Sequence, residues 1–150
     1  MALTIQLIKQ NQIEDAKAVI VNGCLEFFGR QPVDFEDMAD ISLHYAPPAG
    51  TFLVLLDDKK VVGTGAIRRL DAETCELKRM WILPFYRAQG YGRKIAERLF
   101  DFARHAGYKR IRLDTVPELE RANKLYRRLG FYLIERYHSG HGTIFMEKLL

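Results

Sequence analysis

Runs in which apolar and polar residues alternate, or in which β-branched residues crowd together, mark the strands of the first half of this chain. Polar turns at residues 57–60 and 71–74 separate three of these runs, and Pro84 ends the last one because proline has no N–H to give to a sheet. The middle of the chain is therefore predicted to be an antiparallel meander. The predicted strands are residues 4–8, 51–56, 61–70 and 75–83.

Two helices are predicted before the meander. Asn11 is a suitable N-cap for a first helix with apolar residues at helical spacing, which Gly23 interrupts or ends. Asp34 is expected to cap a second, short helix over residues 35–44. The Pro-Pro-Ala-Gly segment at 47–50 then predicts a loop.

Helices and strands alternate in the second half. A helix is predicted over 92–105 with Gly107 at its C-terminal end, and another from Pro117 to Leu129 with Gly130 closing it. Strands are predicted at 110–114, 131–137 and 143–149. The strand–helix–strand unit over 75–114 predicts parallel pairing through a right-handed crossover. The expected fold is α/β (α+β): a mixed, mainly antiparallel sheet of about seven strands flanked by helices.

The composition and charge of the chain argue against several classes of protein. With 150 residues, 48% of them hydrophobic and 28% charged, the chain is expected to be a single soluble domain over 1–150. No apolar run is long enough to span a bilayer, and residues 1–10 lack the apolar core of a signal peptide, so no membrane partner and a cytoplasmic location are expected. The net charge of +4 is too small and too scattered to indicate a nucleic-acid partner. Cys24, Cys75 and the four histidines have no spacing typical of a metal site, so no metal is expected.

One segment, residues 84–94, carries most of the chemical information. It joins a predicted strand to a predicted helix, and Gly90 and Gly92 allow its backbone to curl so that consecutive N–H groups face an anion. The helix dipole adds positive potential at this point. Full positive charges come from Arg87, Arg93 and Lys94. The spacing alone is equally consistent with an ordinary glycine-assisted turn, since the third glycine of a dinucleotide fingerprint and the Lys-Ser/Thr of a nucleotide-triphosphate loop are missing.

The motifs around this segment resemble those of a known family. Arg87-x-x-Gly90-x-Gly92 is similar to the Arg/Gln-x-x-Gly-x-Gly/Ala signature of the GNAT acetyltransferase superfamily. Residues 76–84 resemble the family's fourth strand, and residues 122–131 resemble its later helix, which ends in Leu-Tyr-x-x-Leu-Gly-Phe. The resemblance implies an acetyltransferase with acetyl-CoA as co-substrate.

The resemblance also implies which residues bind acetyl-CoA. Backbone groups at the end of the fourth strand would hold the pantetheine arm, and they belong here to Met80, Trp81 and Ile82. The loop and helix start would hold the pyrophosphate through Arg87, Ala88, Gln89, Gly90, Tyr91, Gly92 and Arg93. Tyr126, in the second motif, would be the acid that protonates the departing thiolate; alternatively it is an amphipathic core tyrosine.

Two carboxylates are candidates for the base that deprotonates the acceptor amine. Glu76 matches the glutamate that some family members use, and its alternative is a surface carboxylate paired with Lys78 or Arg79. Asp114 ends the next strand, where other members have an acidic base; a capping aspartate is its alternative. Leu119 stands where members often have a cofactor-binding asparagine, so Asn123 is not expected to inherit that role.

The acceptor is expected to be a primary amine of a small molecule, an amino acid or a peptide. In this family its pocket would involve residues 24–50 and the last hairpin turn, 138–142. Acidic residues in the first region would attract a cation or form a solvated helix face, and the histidines of the turn, His138 and His141, are expected to be solvated rather than to contact substrate. The acidic residues are Asp34, Glu36, Asp37 and Asp40. A homodimer is a further expectation, and a non-catalytic acyl-CoA-binding or sensing module is the alternative function.

Overall fold

Seven strands form one sheet in the computed structural model, which describes residues 3–150. Their order is β1-β2-β3-β4-β5-β7-β6, and every neighbouring pair is antiparallel except β4–β5, which is parallel. The predicted mixed sheet and its central meander are confirmed. The strands are β1 Thr4–Leu7, β2 Thr51–Asp57, β3 Lys60–Arg69, β4 Thr74–Ile82, β5 Arg110–Thr115, β6 Tyr132–Ile134 and β7 Ile144–Leu149.

The helices cover the two faces of the sheet, because successive side chains of a strand point to opposite faces. Val54 of β2 packs with α1 and α2, whereas its neighbours Leu53 and Leu55 pack with α3 and α4. The helices are α1 Ile13–Phe28, α2 Ile41–Tyr45, α3 Tyr91–His105 and α4 Glu120–Arg128. In the part of the chain that the model describes, none of them combines the length and the apolarity that crossing a bilayer requires.

The prediction that Gly23 interrupts or ends the first helix is wrong. The helix continues to Phe28 and ends at Gly29, which adopts the left-handed conformation with φ 65°. Gly23 instead provides a close approach between α1 and β4: a Cβ placed on it would lie 2.3 Å from Cε3 of Trp81. The glycine is there because the indole packs directly on the helix backbone.

Helix starts also differ from the sequence prediction. Asn11 lies within a 3₁₀ turn, and Gln12 is the N-cap of α1. Asp34 caps no helix; a 3₁₀ turn at Glu36–Met38 precedes α2, whose cap is Asp40, with its Oδ1 accepting the N–H of Leu43 at 3.1 Å. Three elements are shorter than predicted. The helix expected from Pro117 begins at Glu120, the strand expected to reach residue 137 ends at Ile134, and the strand expected from residue 143 begins at Ile144.

The two parallel strands separate after a short paired stretch. Pairing between β4 and β5 runs from Thr74–Arg110 to Glu76–Arg112, although both strands continue beyond it. An irregularity in the β3–β4 register coincides with Arg79, whose φ is 57° and whose carbonyl accepts a hydrogen bond from Thr64 Oγ1 at 2.6 Å. A gap therefore opens in the middle of the sheet, with β4 on one side and β5 on the other.

Candidate active site

The loop between β4 and α3 forms a curled row of backbone donors. After a 3₁₀ turn at Pro84–Tyr86, Ala88 and Gly90 both have positive φ, 61° and 89°. The first N–H of the helix with a backbone acceptor is that of Lys94, which donates to Gly90 O at 3.1 Å. Within residues 3–150, none of the N–H groups from 88 to 93 donates to a protein acceptor. Six adjacent donors are thus left for an anion at the positive end of α3.

A cleft of about 830 Å³ adjoins these donors. Its walls are the end of β4, the loop, the start of α3, one face of α4 from its beginning to its end, and the last turn of α1. Nearly every residue that the resemblance assigned to acetyl-CoA lines it. These are Met80, Trp81, Ile82, Arg87, Ala88, Gly90, Tyr91, Gly92 and Arg93, together with Tyr126. Gln89 is the exception, because its side-chain amide turns back to donate to Phe85 O at 3.0 Å.

Arg87 is bound within the protein at the edge of this cleft. Its Nη1 lies 2.6 Å from Oε2 of Glu26, and its Nε donates to Ile82 O at 2.8 Å. The guanidinium also lies over the ring of Phe27, 5.1 Å from the centroid. The hydrogen bond from Arg87 lowers the pKa of the Glu26 carboxyl. Arg87 therefore joins the end of α1 to the loop, and the sequence held no sign that Glu26 is its partner.

The backbone at the end of β4 offers a further donor toward the gap in the sheet. The N–H of Leu83 donates to Val62 O on β3 at 2.9 Å. Because successive N–H groups of a strand point to opposite sides, the N–H of Ile82 points away from β3, toward the gap. A donor at this position is suited to stabilising an oxyanion that forms in the gap.

Tyr126 reaches the same cleft from α4. Its side chain is buried, and no acceptor in residues 3–150 receives its hydroxyl hydrogen. Burial raises the pKa of Tyr126, and the nearby charge of Asp114 raises it further. The hydroxyl therefore stays protonated at neutral pH. Asn123 on the same helix is bonded within the protein: its amide donates to Val116 O at 2.9 Å and its Oδ1 accepts from Thr115 at 2.7 Å.

Glu76 lies at the last paired position before β4 and β5 separate, and it is 1% exposed. Its Oε1 accepts from Nε of Arg68 at 2.8 Å and its Oε2 accepts from the hydroxyl of Tyr137 at 2.6 Å. The alternative of a surface carboxylate paired with Lys78 or Arg79 is therefore wrong. Both oxygens already have donors, as a buried carboxylate requires.

A row of alternating charges crosses four strands through Glu76, and a tyrosine on a fifth strand extends it. Arg68, Glu76, Arg112, Glu147 and Tyr132 are neighbours in register on β3, β4, β5, β7 and β6. Nε of Arg112 donates to Glu147 at 2.8 Å, and the hydroxyl of Tyr132 donates to the same carboxylate at 2.5 Å. Opposite charges on neighbouring strands attract, so this row stabilises the sheet at the point where the gap begins.

Asp114 and His138 complete what we call the carboxylate cluster, defined as Glu76, Asp114 and His138. Nε2 of His138 lies 3.4 Å from Oδ1 of Asp114 and 3.9 Å from Oε2 of Glu76. The ring stands edge-on to Tyr137 and to Phe145, with centroids 4.8 and 5.1 Å away. The expectation of a solvated His138 is therefore wrong, because the turn folds inward over β4 and β5.

The carboxylate cluster contains the residue types that bind metals, and its three ligand atoms lie within 4.8 Å of one another. The backbone N–H of Gly140, however, donates to Nδ1 of His138 at 2.9 Å. A neutral imidazole whose Nδ1 accepts carries its proton on Nε2, so this nitrogen faces the carboxylates as a donor. The arrangement is suited to holding a carboxylate rather than to coordinating an ion through Nε2.

Of the acidic residues before α2, Asp37 is buried and bonded. Its carboxylate accepts from Arg79 at 2.6 and 2.9 Å and from the hydroxyl of Tyr45. Burial raises the pKa of Asp37, but the hydrogen bonds from Arg79 and Tyr45 and the charge of Arg79 outweigh burial and lower it overall. Asp37 therefore anchors the segment before α2 to the irregular position in β4, and it is not free to attract a substrate.

Comparison with known proteins agrees with this geometry. Residues 21–131 match the model of the acetyltransferase (GNAT) family. Two relatives are an uncharacterised N-acetyltransferase of Escherichia coli, YjgM, and an IAA acetyltransferase of Azospirillum brasilense. The first is 36% identical over 61% of this chain and 56% of its own length, and the second is 31% identical over 97% of this chain and 98% of its own. The chain thus spans little more than half of YjgM.

Solved structures share the fold. A GNAT-family acetyltransferase from Staphylococcus aureus superposes with a TM-score of 0.91 at 22% identity, over 99% of both chains. The PaiA N-acetyltransferase of Thermoplasma acidophilum, solved with coenzyme A, gives a TM-score of 0.81 at 16% identity over the whole of both chains. At these identities the likeness establishes the architecture alone.

Proposed function

The chain belongs to the acetyltransferase (GNAT) family, and from that membership we propose that it transfers the acetyl group of acetyl-CoA to a primary amine by direct attack in a ternary complex. The observation that carries this proposal is the row of six backbone donors at 88–93, which have no acceptor within residues 3–150 and lie beside the large cleft. Such a row at a helix start suits a pyrophosphate, whose charges it meets with N–H dipoles. Tyr126, whose hydroxyl donates to no acceptor in the described part of the chain, lines the same cleft.

In the proposed complex, Ala88 to Arg93 bind the pyrophosphate through their backbones, and the end of β4 binds the pantetheine arm. Acetyl-CoA supplies the thioester. This chain's groups then lie where the charges develop: the N–H of Ile82 faces the gap, and a donor there stabilises the oxyanion. Arg87 contributes by joining α1 to the loop, since its guanidinium is already bound to Glu26 and Ile82.

The balanced reaction needs one base and one acid. We assign to the carboxylate of Asp114 the proton that the acceptor ammonium loses before attack. The free amine nitrogen then forms a bond to the thioester carbonyl carbon, and its second proton passes to water. The carbon–sulfur bond breaks, and Tyr126 donates its hydroxyl proton to the departing sulfur. The products are the acetamide and the free thiol of CoA, and exchange with water restores both residues. Asp114 is preferred to Glu76 because both oxygens of Glu76 already accept protein hydrogen bonds.

The names of the relatives do not narrow the class of acceptor. One is named for IAA and the other has no acceptor in its name. A test panel should therefore include small amines, amino acids and peptides with free N-termini or lysines. Each has an alkyl ammonium of pKa near 10 that must lose a proton before attack.

The test is a calorimetric titration with acetyl-CoA, followed by the panel with release of free thiol as the readout. Binding together with thiol release that depends on an amine is the expected result. Binding without release from any amine would favour the acyl-CoA-binding or sensing module instead. Failure to bind acetyl-CoA would contradict the assignment of the cleft.

A further inference from the structure

The loop between β6 and β7 is organised by a single side chain. Arg136 donates to the carbonyl oxygens of His138, Gly140 and Gly142, at 3.2, 3.1 and 3.0 Å. Its guanidinium also lies over the ring of Phe145, 4.8 Å from the centroid. Three carbonyls bound to one rigid, planar cation fix the path of this backbone. Nothing in the reaction proposed above requires such an arrangement.

The fixed loop determines how His138 is presented. The N–H of Gly140 donates to Nδ1, so the neutral ring carries its proton on Nε2. Tyr137 and Phe145 stand edge-on to the ring on two sides. A side chain placed on Gly140 would start 2.9 Å from the imidazole, so the backbone and the ring are in close contact. Both the orientation and the tautomer of His138 are set before any ligand arrives.

The same loop also encloses Asp114. Nε2 of His138 faces Oδ1 at 3.4 Å, and the backbone of Gly142 packs against the other oxygen so closely that an added Cβ would lie 2.0 Å from Oδ2. Glu76 also meets the loop, through the hydroxyl of Tyr137, but its other oxygen accepts from Arg68 of β3 at 2.8 Å. Asp114 is thus the carboxylate that the loop contacts at both oxygens.

We propose that His138 is a positioning residue, which holds the carboxylate of Asp114 through Nε2 so that it meets the acceptor amine in one orientation. The inference rests on the proposed function, in which Asp114 takes the amine's proton. His138 neither takes nor gives that proton. Its contribution is to remove the freedom of the carboxylate to rotate, which would otherwise be lost on reaching the transition state.

The tautomer can be tested without any turnover. Nitrogen NMR of the full protein labelled with 15N-histidine, with the His138 signals identified by their loss in His138→Gln, should show the proton on Nε2. A proton on Nδ1 would overturn the proposal, because Nε2 could then not donate to Asp114. This result does not depend on which acceptor the protein uses.

The kinetic test compares His138→Ala with His138→Gln, using an amine from the panel that releases thiol with the unchanged protein. His138→Ala should lower kcat about tenfold while KM for acetyl-CoA stays within twofold, because the contact that is lost, 3.4 Å long, is with a charged group at the reacting end. His138→Gln places an amide N–H near the position of Nε2 and should restore at least a third of kcat. His141→Ala, an exposed histidine on the same loop, is the control and should retain full activity.

The two failures are distinct. If the unchanged protein releases no thiol with any amine, the proposed function fails and the inference fails with it. If the unchanged protein is active and His138→Ala matches it, or His138→Gln is as slow as His138→Ala, the proposed function stands and the positioning role is overturned.

Discussion

The large cleft and the carboxylate cluster both take residues from β4, but they are built in different ways. The anion-binding part of the cleft is one continuous segment, 88–93, and its working groups are backbone N–H donors that have no partner in residues 3–150. The carboxylate cluster takes one side chain each from β4, β5 and the last loop. Neighbouring residues hold its groups in place: Arg68 and Tyr137 donate to Glu76, and the N–H of Gly140 donates to His138. The donors at 88–93 are therefore available to bind an anion, whereas the side chains of the carboxylate cluster are fixed in one arrangement.

The largest effect is expected from placing a charge in the cleft. Gly90→Glu should weaken acetyl-CoA binding at least 100-fold, since a carboxylate would stand where the pyrophosphate binds. The matched control is Gly107→Glu, because the two glycines have φ of 89–90° and each has open space around an added Cβ. Both variants should lose about 1–2 kcal/mol of stability from strained φ. Calorimetry measures the binding of acetyl-CoA, and thermal unfolding measures the stability of both variants. Equal loss of binding in Gly90→Glu and Gly107→Glu would contradict the assignment of the pyrophosphate to this loop.

Next is a contrast within the carboxylate cluster. Asp114→Asn should lower kcat about 100-fold with little change in the free energy of unfolding, as expected for loss of a general base. Glu76→Gln should instead lower the free energy of unfolding by about 1–3 kcal/mol, because it weakens bonds from Arg68 and Tyr137 to a buried carboxylate. Thiol-release kinetics measure kcat of both variants, and denaturant unfolding measures their free energies of unfolding. The reverse pattern would make Glu76 the base.

A smaller effect is expected at Tyr126. Burial and the charge of Asp114 raise the pKa of its hydroxyl and keep it protonated, and it assists only the departure of the sulfur, so its loss should cost less than loss of the base. Tyr126→Phe should lower kcat about 10- to 100-fold and leave the Kd of acetyl-CoA within twofold. Tyr108→Phe is the control: its hydroxyl donates to Ala49 O at 2.6 Å, away from the cleft, so it should lose stability but not kcat. Unchanged turnover in Tyr126→Phe would exclude the acid role.

The smallest effect concerns Asp37, which anchors the segment before α2. Its pKa is lowered in the folded protein, so its stabilising contribution is present above the ordinary aspartate pKa near 3.9 and is lost as pH falls through the folded value. Asp37→Asn should lower the free energy of unfolding by about 1–2 kcal/mol at pH 7 and flatten its decline on acidification. Urea unfolding between pH 7 and pH 3 measures this. Asp101→Asn, on the exposed face of α3, is the control: it should change neither the free energy of unfolding at pH 7 nor its decline on acidification.

Local patterns accounted for much of the fold and for the cleft. The meander follows from alternation and turns within 51–83, and the helix at 91–105 follows from its apolar spacing. The anion-binding loop was visible because its donors are consecutive in the chain and its glycine is needed for a positive φ at position 90. Gly23 shows where this reasoning fails, since its purpose is contact with Trp81, far away in sequence.

The sequence by itself thus determined the strand and helix order, the family resemblance and the row of donors at the start of α3, because each depends on residues close together in the chain. Only the tertiary structure decided that Glu76 is bonded to Arg68 and Tyr137, that Arg87 is bound to Glu26, and that the last loop folds inward to bring His138 to Asp114. These contacts join residues 8 to 61 positions apart. Spacing along the chain has no bearing on such pairs, since the folding of the sheet is what brings them within a few ångströms of each other.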